Sequence, residues 1–319
     1  MRIVFAGTPE FSLPTLRALC EAGHELVLVV TQPDRPAGRG RALHSPEVKT
    51  AAVSMRLPVF QPADANAPES IALIRHAAPD VLVVQAFGQK LSGELLSVAR
   101  RGSFNVHASL LPSHRGAAPV NWAILRGEET TGVTIMRMNE QIDAGEILAQ
   151  ESVRIESNWT AGDLAAVLSE RGAGLCVRTL EEVEKQSARA VTQDPRKVSL
   201  APRLTKKQGR IPWGKSAREV HNHIRGMTPW PGAVAFIRDG RRGKTVRVTV
   251  LASEPTECGV QEQPSGTVLA LEEAGLVVRC GEGAVRLTEV KPAGSRRMSA
   301  MDFARGHAIG VGMRFTPDE

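Results

Sequence analysis

The sequence predicts an α/β protein with a Rossmann-like, mostly parallel sheet, followed by a smaller C-terminal β-barrel domain of OB type. Three observations lead to this prediction. The chain has 319 residues, enough for two domains at roughly 100–200 residues each. Strand and helix patterns alternate up to about residue 184, which is typical of a parallel sheet covered by helices. Short strands separated by turns then crowd into the last third of the chain.

The N-terminal half begins with RIVFAG at residues 2–7, a short apolar run that ends in glycine and predicts a buried strand. Apolar residues then recur at helical spacing over residues 11–20, and Gly23 follows them as a helix C-cap. The same reasoning predicts strands at 25–31, 59–61, 80–85, 102–107 and 131–138, and helices at 47–55, 68–76, 118–125 and 161–184. Ligands of such sheets bind outside the carboxyl ends of the strands, where we expect Gln85, His107 and the loop after Met138.

The pattern breaks over residues 192–213, where three prolines and many charges interrupt any regular period and indicate a linker. One helix is predicted at 217–225. Five short strands are predicted at 233–237, 245–252, 266–271, 276–279 and 284–290. We therefore expect an N-terminal domain over residues 1–188, a basic linker over 189–206 and a C-terminal domain over 207–319.

The charge of the chain is unevenly distributed. The net charge is +6, yet residues 189–250 hold 15 Lys and Arg against 3 Asp and Glu. This excess favours a polyanionic partner such as a nucleic acid for the C-terminal half, although a merely solvated basic face is the alternative. The chain has no tyrosine and only 4% aromatic residues, so phosphate contacts by Lys and Arg are favoured over base stacking.

The remaining composition argues against several classes of protein. The four cysteines are far apart and form no CxxC pair, which indicates reduced, structural thiols and a cytosolic protein. The N-terminal apolar run is too short for a signal peptide, and no run approaches the ~18 apolar residues of a membrane span. We therefore expect a soluble, cytoplasmic protein. No HExxH, paired cysteines or acidic ligand cluster occurs, so no metal is expected.

The sharpest signal for chemistry is the sequence NVH at the end of a predicted strand. Residues i and i+2 of a strand point to the same face, so Asn105 and His107 are expected to project together. An amide can donate to a developing oxyanion, and an imidazole can move a proton near neutral pH. The alternative is a pair of polar side chains satisfied in the core. A turn stiffened by Pro112, and Asp143 in the loop NEQIDAG, favour a catalytic trio of Asn105, His107 and Asp143.

A long connection follows the second predicted strand. Residues 31–44 (TQPDRPAGRGRALH) join this strand to a helix and include Arg35, Arg39 and Arg41. Such a connection is long for a strand-to-helix loop. The alternatives are a disordered surface loop and a mobile basic lid that grips phosphates, and the exit of the loop from the carboxyl edge favours the lid.

Taken together, these stretches resemble the methionyl-tRNA formyltransferase family. The matching segments run in order along nearly the whole chain and comprise FAGTPEF, TQPDRPAGRGR, NVHASLLPSHRGAAPVNWAI, TGVTIMRMNEQIDAGEIL, PRLTKKQGRIPW, TPWPGA and VKPAGSRRMSAMDFARGH. The combination NVHxSLLPxxRGAAP with a later DAG is specific to folate-dependent formyltransferases. The basic loop and the β-rich C-terminal domain narrow the resemblance to the tRNA enzymes.

The resemblance implies a catalytic N-terminal domain of the formyltransferase fold and a tRNA-binding C-terminal domain. It implies formyl transfer from 10-formyltetrahydrofolate to the α-amine of methionyl initiator tRNA, for the initiation of translation, with Asn105, His107 and Asp143 as the catalytic residues. Folate contacts are expected at Ser109, Leu110, Leu111, Pro112, Gln85, Phe87 and Gly88. Contacts to tRNA are expected at Arg35, Arg39, Arg41, Lys206 and Lys207. Similar proteins often carry Tyr where Phe87 and Leu200 stand here, a difference that removes possible hydroxyl contacts but touches none of the trio.

The expected mechanism is direct attack of the neutral amine on the formyl carbon, through a tetrahedral intermediate whose oxyanion Asn105 and protonated His107 stabilise. His107, or a water held by Asp143, would then shuttle the proton. We expect a monomer without membrane contacts. Three alternatives remain at this point: a formyltransferase acting on a small amine such as a nucleotide sugar, a formyltetrahydrofolate hydrolase, and a non-catalytic RNA-binding protein. The basic segments argue against the first, and the complete trio argues against the last.

Overall fold

The computed structural model describes residues 1–37, 42–257 and 262–318, and it divides the chain into two compact units. The first unit consists of Met1–Pro119, Thr131–Arg154 and Ala165–Ala201. The second unit consists of Val120–Thr130, Ile155–Leu164 and Pro202–Glu319. The expected domain boundaries after residues 188 and 206 stay predictions.

The first 184 residues alternate between strands and helices. In chain order the elements are β1 (Arg2–Gly7), α1 (Leu13–Glu21), β2 (Glu25–Val30), β3 (Arg35–Ala37), β4 (Ala42–His44), α2 (Glu47–Ser54), β5 (Val59–Phe60), α3 (Pro68–His76), β6 (Val81–Gln85), α4 (Gly93–Leu96), β7 (Ser103–His107), α5 (Pro119–Leu125), β8 (Thr130–Arg137), β9 (Ile147–Arg154) and α6 (Ala161–Glu184). Every predicted element is present within about two residues of its expected bounds. The sequence reasoning missed β3, β4, α4 and β9.

Seven of these strands form one sheet in the order β5-β2-β1-β6-β7-β8-β9. The pairs from β5 to β7 are all parallel, whereas β7 and β8 are antiparallel. The prediction of a mostly parallel α/β sheet is therefore confirmed.

The two faces of this sheet are covered by different groups. On one face, Val4, Leu28 and Leu82 belong to an apolar core that also contains Ile71 and Ile74 of α3. On the other face, α6 packs against the sheet. Its Gly172 lies so close that even a Cβ at this position would contact the side chains of Val106 and Val133. Because side chains alternate along a strand, Asn105 and His107 lie on the face opposite to α6.

The antiparallel direction of β8 corrects one step of the sequence reasoning. Phe104 pairs with Arg137 and His107 pairs with Thr134, so β8 ends level with the beginning of β7. The expectation that the loop after Met138 leaves at the same edge as His107 was wrong. The loop reaches His107 only because residues 139–145 fold back over the sheet, a distance of about three strand residues, or roughly 10 Å.

The second unit contains an antiparallel sheet. Its elements after residue 216 are α7 (Ala217–Gly226), β10 (Ala233–Arg238), β11 (Thr245–Thr256), β12 (Val268–Glu272), β13 (Gly275–Arg279), β14 (Ala284–Pro292), β15 (Met298–Ser299) and α8 (Ala300–His307). The strand order is β10-β11-β14-β13-β12, and β15 pairs with β14. The five predicted strands and the helix at 217–225 are confirmed, whereas β15 and α8 were missed.

Residues 312–316 join the two edges of this sheet. Phe236 of β10 exchanges two backbone hydrogen bonds of 2.8 Å with Thr316. Val268 of β12 donates to the carbonyl of Met313, and Phe315 donates to the carbonyl of Gly266, each at 2.8 Å. The terminal segment thus pairs with both edge strands, which would otherwise expose unpaired backbone groups.

None of the helices within the described ranges is both long and apolar enough to cross a membrane.

Candidate active site

The site is built on the last residues of β7. Asn105 and His107 project from the same face of this strand, as the sequence predicts. The side chain of His107 is 6% exposed and that of Asp143 is 13% exposed. An amide, an imidazole and a carboxylate thus meet in a largely dry environment, in which electrostatic interactions are stronger than in water.

The imidazole of His107 lies between a carbonyl and a carboxylate. Its Nε2 is 3.0 Å from the backbone oxygen of His114, and its Nδ1 is 3.7 Å from Oδ1 of Asp143. A carbonyl oxygen can only accept a hydrogen bond, so Nε2 carries a hydrogen and donates it. Nδ1 is therefore the nitrogen that can take up or release a proton beside the carboxylate.

The carboxylate of Asp143 is held in place by two further donors. Its Oδ2 accepts a 2.8 Å hydrogen bond from the backbone N–H of Gly116, and its Oδ1 accepts a 3.4 Å bond from Nδ2 of Asn105. Asp143 has a φ of +49°, which is uncommon for a residue other than glycine. A Cβ at Gly145 would collide with the carbonyl oxygen of Arg137, so only glycine allows the loop to turn here.

The turn at residues 109–112 is fixed by hydrogen bonds to neighbouring strands. Ser109 Oγ donates to the carbonyl of Ser113 at 2.6 Å, and Thr134 Oγ1 donates to the carbonyl of Ser109 at 2.6 Å. The N–H of Leu111 donates to Thr134 Oγ1, and Gln150 Nε2 donates to the carbonyl of Leu111. The turn expected to contact folate, whose other members are Leu110 and Pro112, is therefore rigidly attached beside His107.

The other three residues expected to contact folate lie at the end of β6, the strand that pairs with β7, and just after it. Gln85 pairs with Gly7 of β1, and its side chain is fully buried on the α6 face, near Gly172. Phe87 is buried in the apolar core. Gly88 has a φ of +89° and lies near the side chain of Gln32. The side chain of Gln85 thus faces away from that of His107, and the folate contacts of Gln85, Phe87 and Gly88 stay predictions.

The basic loop at residues 31–44 contains a short hairpin, in which β3 and β4 pair antiparallel. Arg35 belongs to β3 and donates to Oε1 of Gln32, whereas Arg39 and Arg41 lie outside the described residues. Asp34 anchors the base of the hairpin and accepts hydrogen bonds from Lys49 and Gln61 at 2.6 and 2.8 Å. The hydrogen bonds from Gln61 and Lys49 hold the pKa of Asp34 below its ordinary value.

Lys206 and Lys207 begin a 3-10 turn, Lys206–Gly209, in the second unit. Thr205 and Gln208 cap this turn through a hydrogen bond of 2.8 Å from the Thr205 N–H to the Gln208 side chain. Both lysine side chains are exposed. They are therefore accessible to a polyanion.

Sequence reasoning did not single out two residues that hold the trio. Gly116 occurs in the RGAAP sequence but gave no signal for its hydrogen bond to Asp143. Gln193 lies in the segment predicted as a linker, yet it donates to the carbonyls of Asp143 and Gly145 at 2.9 and 2.8 Å. No local pattern predicts a contact between residues that are 50 positions apart.

Across the described residues, no group of three or more His, Cys, Asp and Glu side chains is arranged to hold a metal ion.

Comparison with known proteins shows similarity along nearly the whole chain. Residues 1–180 match the formyl transferase family, and residues 203–308 match the formyl transferase C-terminal domain. The methionyl-tRNA formyltransferase of Geobacter metallireducens is 41% identical over 314 residues, which cover 98% of this chain and 98% of that protein. The methionyl-tRNA formyltransferase of Pelotomaculum thermopropionicum is 43% identical over 313 residues, again with 98% of each chain covered.

A more distant similarity concerns the fold alone. The solved structure of HypX from Aquifex aeolicus in complex with tetrahydrofolic acid aligns with a TM-score of 0.63 at 19% identity. The alignment covers 98% of this chain and 48% of the HypX chain.

Proposed function

The chain belongs to the methionyl-tRNA formyltransferase family, and we propose that it transfers the formyl group of 10-formyltetrahydrofolate to the α-amine of methionyl initiator tRNA. The observation that carries this proposal is that Oδ1 of Asp143 lies 3.4 Å from Nδ2 of Asn105 and 3.7 Å from Nδ1 of His107. The full-length similarity to methionyl-tRNA formyltransferases supports the choice of acceptor. Tetrahydrofolic acid in the HypX complex agrees with a folate-linked donor.

The residues of the site fit a formyl donor by their chemistry. A hydrogen-bond donor, a group that exchanges protons near neutral pH and a fixed carboxylate are what acyl transfer to an amine needs. The folate would supply the formyl carbon as an amide on a ring-linked nitrogen. The turn at residues 109–112 would hold the folate beside His107.

The acceptor amine is the nucleophile, and no covalent enzyme intermediate is needed. Because the methionine carboxylate is esterified to tRNA, its amine is partly uncharged near neutral pH. As this amine attacks the formyl carbon, negative charge develops on the formyl oxygen, and Asn105 Nδ2 donates to it. Removing one such donor typically costs about 2.7–4 kcal/mol of transition-state stabilisation.

One proton must leave the attacking amine, and one must reach the departing folate nitrogen. Nδ1 of His107 can perform both transfers, since its Nε2 is already committed to the carbonyl of His114. The carboxylate of Asp143 would stabilise the imidazolium that forms between the two steps. Such acid–base catalysis contributes roughly 10²–10⁴-fold in rate.

The test is a transfer assay with purified protein and 10-formyltetrahydrofolate, supplied with charged initiator tRNA, an amino-sugar nucleotide or no acceptor. We expect formylated methionyl-tRNA in the first reaction and no turnover in the other two. Transfer to the sugar would identify a small-amine formyltransferase, and release of formate without acceptor would identify a hydrolase. The variant His107→Ala serves as the inactive control.

A further inference from the structure

We propose that Gln193 is a positioning residue of this active site, which holds Asp143 beside the imidazole of His107. Gln193 lies in the segment that follows α6, and the residue is 6% exposed. The consequence for catalysis rests on the formyl transfer proposed above, whereas the effect on the position of Asp143 does not.

Gln193 connects the Asp143 loop to Arg115 through four hydrogen bonds. Its Nε2 donates to the carbonyl oxygens of Asp143 and Gly145 at 2.9 and 2.8 Å. Its Oε1 accepts from Nε and Nη2 of Arg115 at 3.0 and 2.7 Å. The side-chain amide is thus fully engaged on both sides.

Only one orientation of this amide satisfies its neighbours. A guanidinium can only donate hydrogen bonds, so Oε1 of Gln193 must face Arg115. The two carbonyls can only accept, so the NH₂ group must face Asp143 and Gly145. A glutamate or an apolar side chain at position 193 could not donate to these carbonyls.

The bonds from Gln193 matter because the Asp143 loop is strained. A left-handed conformation at a residue other than glycine persists only where surrounding contacts hold it. Gln193 binds the carbonyl of Asp143 itself and that of the second residue after it. Without these bonds the loop can relax, which moves the carboxylate away from Nδ1 of His107.

The same segment also holds the other partner of the imidazole. Ser199 Oγ accepts a 2.9 Å hydrogen bond from the N–H of His114, and the Ser199 carbonyl accepts one of 2.9 Å from the N–H of Arg115. The carbonyl of His114 in turn accepts a hydrogen bond from Nε2 of His107. Residues 193–199 therefore support both neighbours of the catalytic ring, although the sequence suggests only a linker.

The test compares two variants that keep the size of the side chain. Gln193→Met removes the donors and the acceptor, and Gln193→Glu keeps the acceptor for Arg115 but places a second oxygen against the two carbonyls. A displacement of about 1 Å can cost about 10²-fold in rate, so we expect kcat to fall about 10- to 100-fold in both variants. The KM for 10-formyltetrahydrofolate should stay within about twofold, since uniform binding is untouched.

A second measurement does not depend on turnover. In protein labelled with ¹⁵N-histidine, the Nδ1 signal of His107 reports on the carboxylate beside it. We expect this signal in Gln193→Met to move towards its position in Asp143→Asn. If the wild-type protein lacked transfer activity, this signal would still test the role of Gln193.

Asn222→Ala is the matched control, because Asn222 is as buried as Gln193 and its amide oxygen likewise accepts a hydrogen bond from an arginine, Arg225 Nε at 3.0 Å, within the second unit. It should lose some stability but keep the wild-type kcat and His107 signal. A wild-type kcat and an unmoved His107 signal in Gln193→Met would overturn the proposal. An equal loss of kcat in Asn222→Ala would also overturn it, because loss of any buried amide would then lower activity.

Discussion

At the scale of single residues, the ring of His107 is held from two sides by groups of different chemistry. The carbonyl of His114 fixes the hydrogen on Nε2, and Asp143 faces Nδ1 across 3.7 Å. This distance exceeds that of a hydrogen bond, so Nδ1 is not committed to the carboxylate. In the proposed mechanism the carboxylate therefore acts through its charge, and Nδ1 stays available for the substrate.

Replacing Asp143 by Asn tests this role. The amide keeps the shape and can still accept the hydrogen bond from Gly116 N–H, but it removes the charge. We expect kcat to fall at least about 100-fold, because the imidazolium loses its stabilisation. The affinity for 10-formyltetrahydrofolate, measured by calorimetry, should change little.

Asp80→Asn is the control for this experiment. Asp80 binds the backbone of Arg2 and the guanidinium of Arg100, away from the trio, and its replacement should affect stability more than turnover. Equal losses of kcat and folate affinity in Asp143→Asn would contradict the charge-based role.

A second residue, His223 of α7, links stability to pH. Burial lowers the pKa of His223 to about 4 from an ordinary value of 6.5. The folded protein keeps this ring neutral at pH values where the unfolded chain already binds a proton. Stability contributed by the neutral ring is therefore complete above about pH 6.5 and is lost as the pH falls towards 4.

We expect the free energy of unfolding to fall by roughly 3 kcal/mol between these limits on account of His223. In His223→Gln, which cannot titrate, the dependence on pH should be correspondingly flatter. Urea unfolding at pH 7, 6, 5 and 4 measures the difference, and the exposed His76→Gln is the control. Parallel profiles for wild type and His223→Gln would rule out this contribution.

At the scale of elements, the strands were predicted well because apolar and β-branched runs carry a local signal. The loop of residues 31–44 was expected as a basic lid, and the structure shows that a short hairpin, β3 and β4, forms its base. Strand β9 was missed because ILAQESVR has only three consecutive apolar residues, which are followed by the polar QES, and shows neither a long apolar run nor a regular alternation. Helix α8 was missed although Ser299 accepts a hydrogen bond from the N–H of Asp302, a capping signal that the sequence contains.

The terminal segment at residues 312–316 attaches to both edges of the antiparallel sheet and carries a buried aromatic ring. Phe315 is fully buried, and its ring lies 5.7 Å from that of Trp213. The flanking backbone pairs with β10 and with the start of β12. Removal of this ring should therefore weaken the attachment of both sheet edges.

Phe315→Ala should lower the free energy of unfolding by about 3–5 kcal/mol, as is usual for loss of a buried aromatic side chain. The transition is followed in urea through tryptophan fluorescence, to which Trp213 contributes. The control is Val311→Ala, because Val311 is 65% exposed and its loss should change stability by no more than about 0.5 kcal/mol. A loss as small as that of the control would show that the segment is not essential to the sheet.

At the scale of the whole molecule, positive charge is concentrated in one part of the chain. Between Asp194 and Glu219 the sequence has no acidic residue and eight Lys and Arg residues. Lys206 and Lys207 are exposed within this stretch. A partner bound through phosphates releases counterions, so its affinity depends steeply on salt.

The double variant Lys206→Ala/Lys207→Ala should bind initiator tRNA more weakly at low salt. The slope of log K against log salt should decrease in magnitude by about 2, one for each lost phosphate contact. Filter binding between 50 and 200 mM salt measures this slope. The control is Lys185→Ala, which removes a lysine paired with Glu181 and should leave the slope unchanged. An unaltered slope in the double variant would show that neither Lys206 nor Lys207 contacts the tRNA.

The assignment of segments to the two units could not be predicted from their order along the chain. Residues 120–130 and 155–164 belong to the C-terminal unit, although the sequence places them among the N-terminal elements. Asn121 donates to the carbonyl of Gly226, and the buried guanidinium of Arg225 donates to the carbonyls of Glu156 and Trp159. Such contacts join positions about 70 to 105 residues apart, and no local pattern marks them.

The sequence by itself determined the two-part α/β and β-rich architecture, the identity of the candidate trio and the basic character of the C-terminal half. These features depend on periodicity, composition and short motifs, which act over a few residues. Only the tertiary structure decided that β8 runs antiparallel, that the Asp143 loop folds back over the sheet, and that Gln193 holds it there. These features depend on hydrogen bonds between distant segments, whose partners are selected by three-dimensional packing rather than by local sequence.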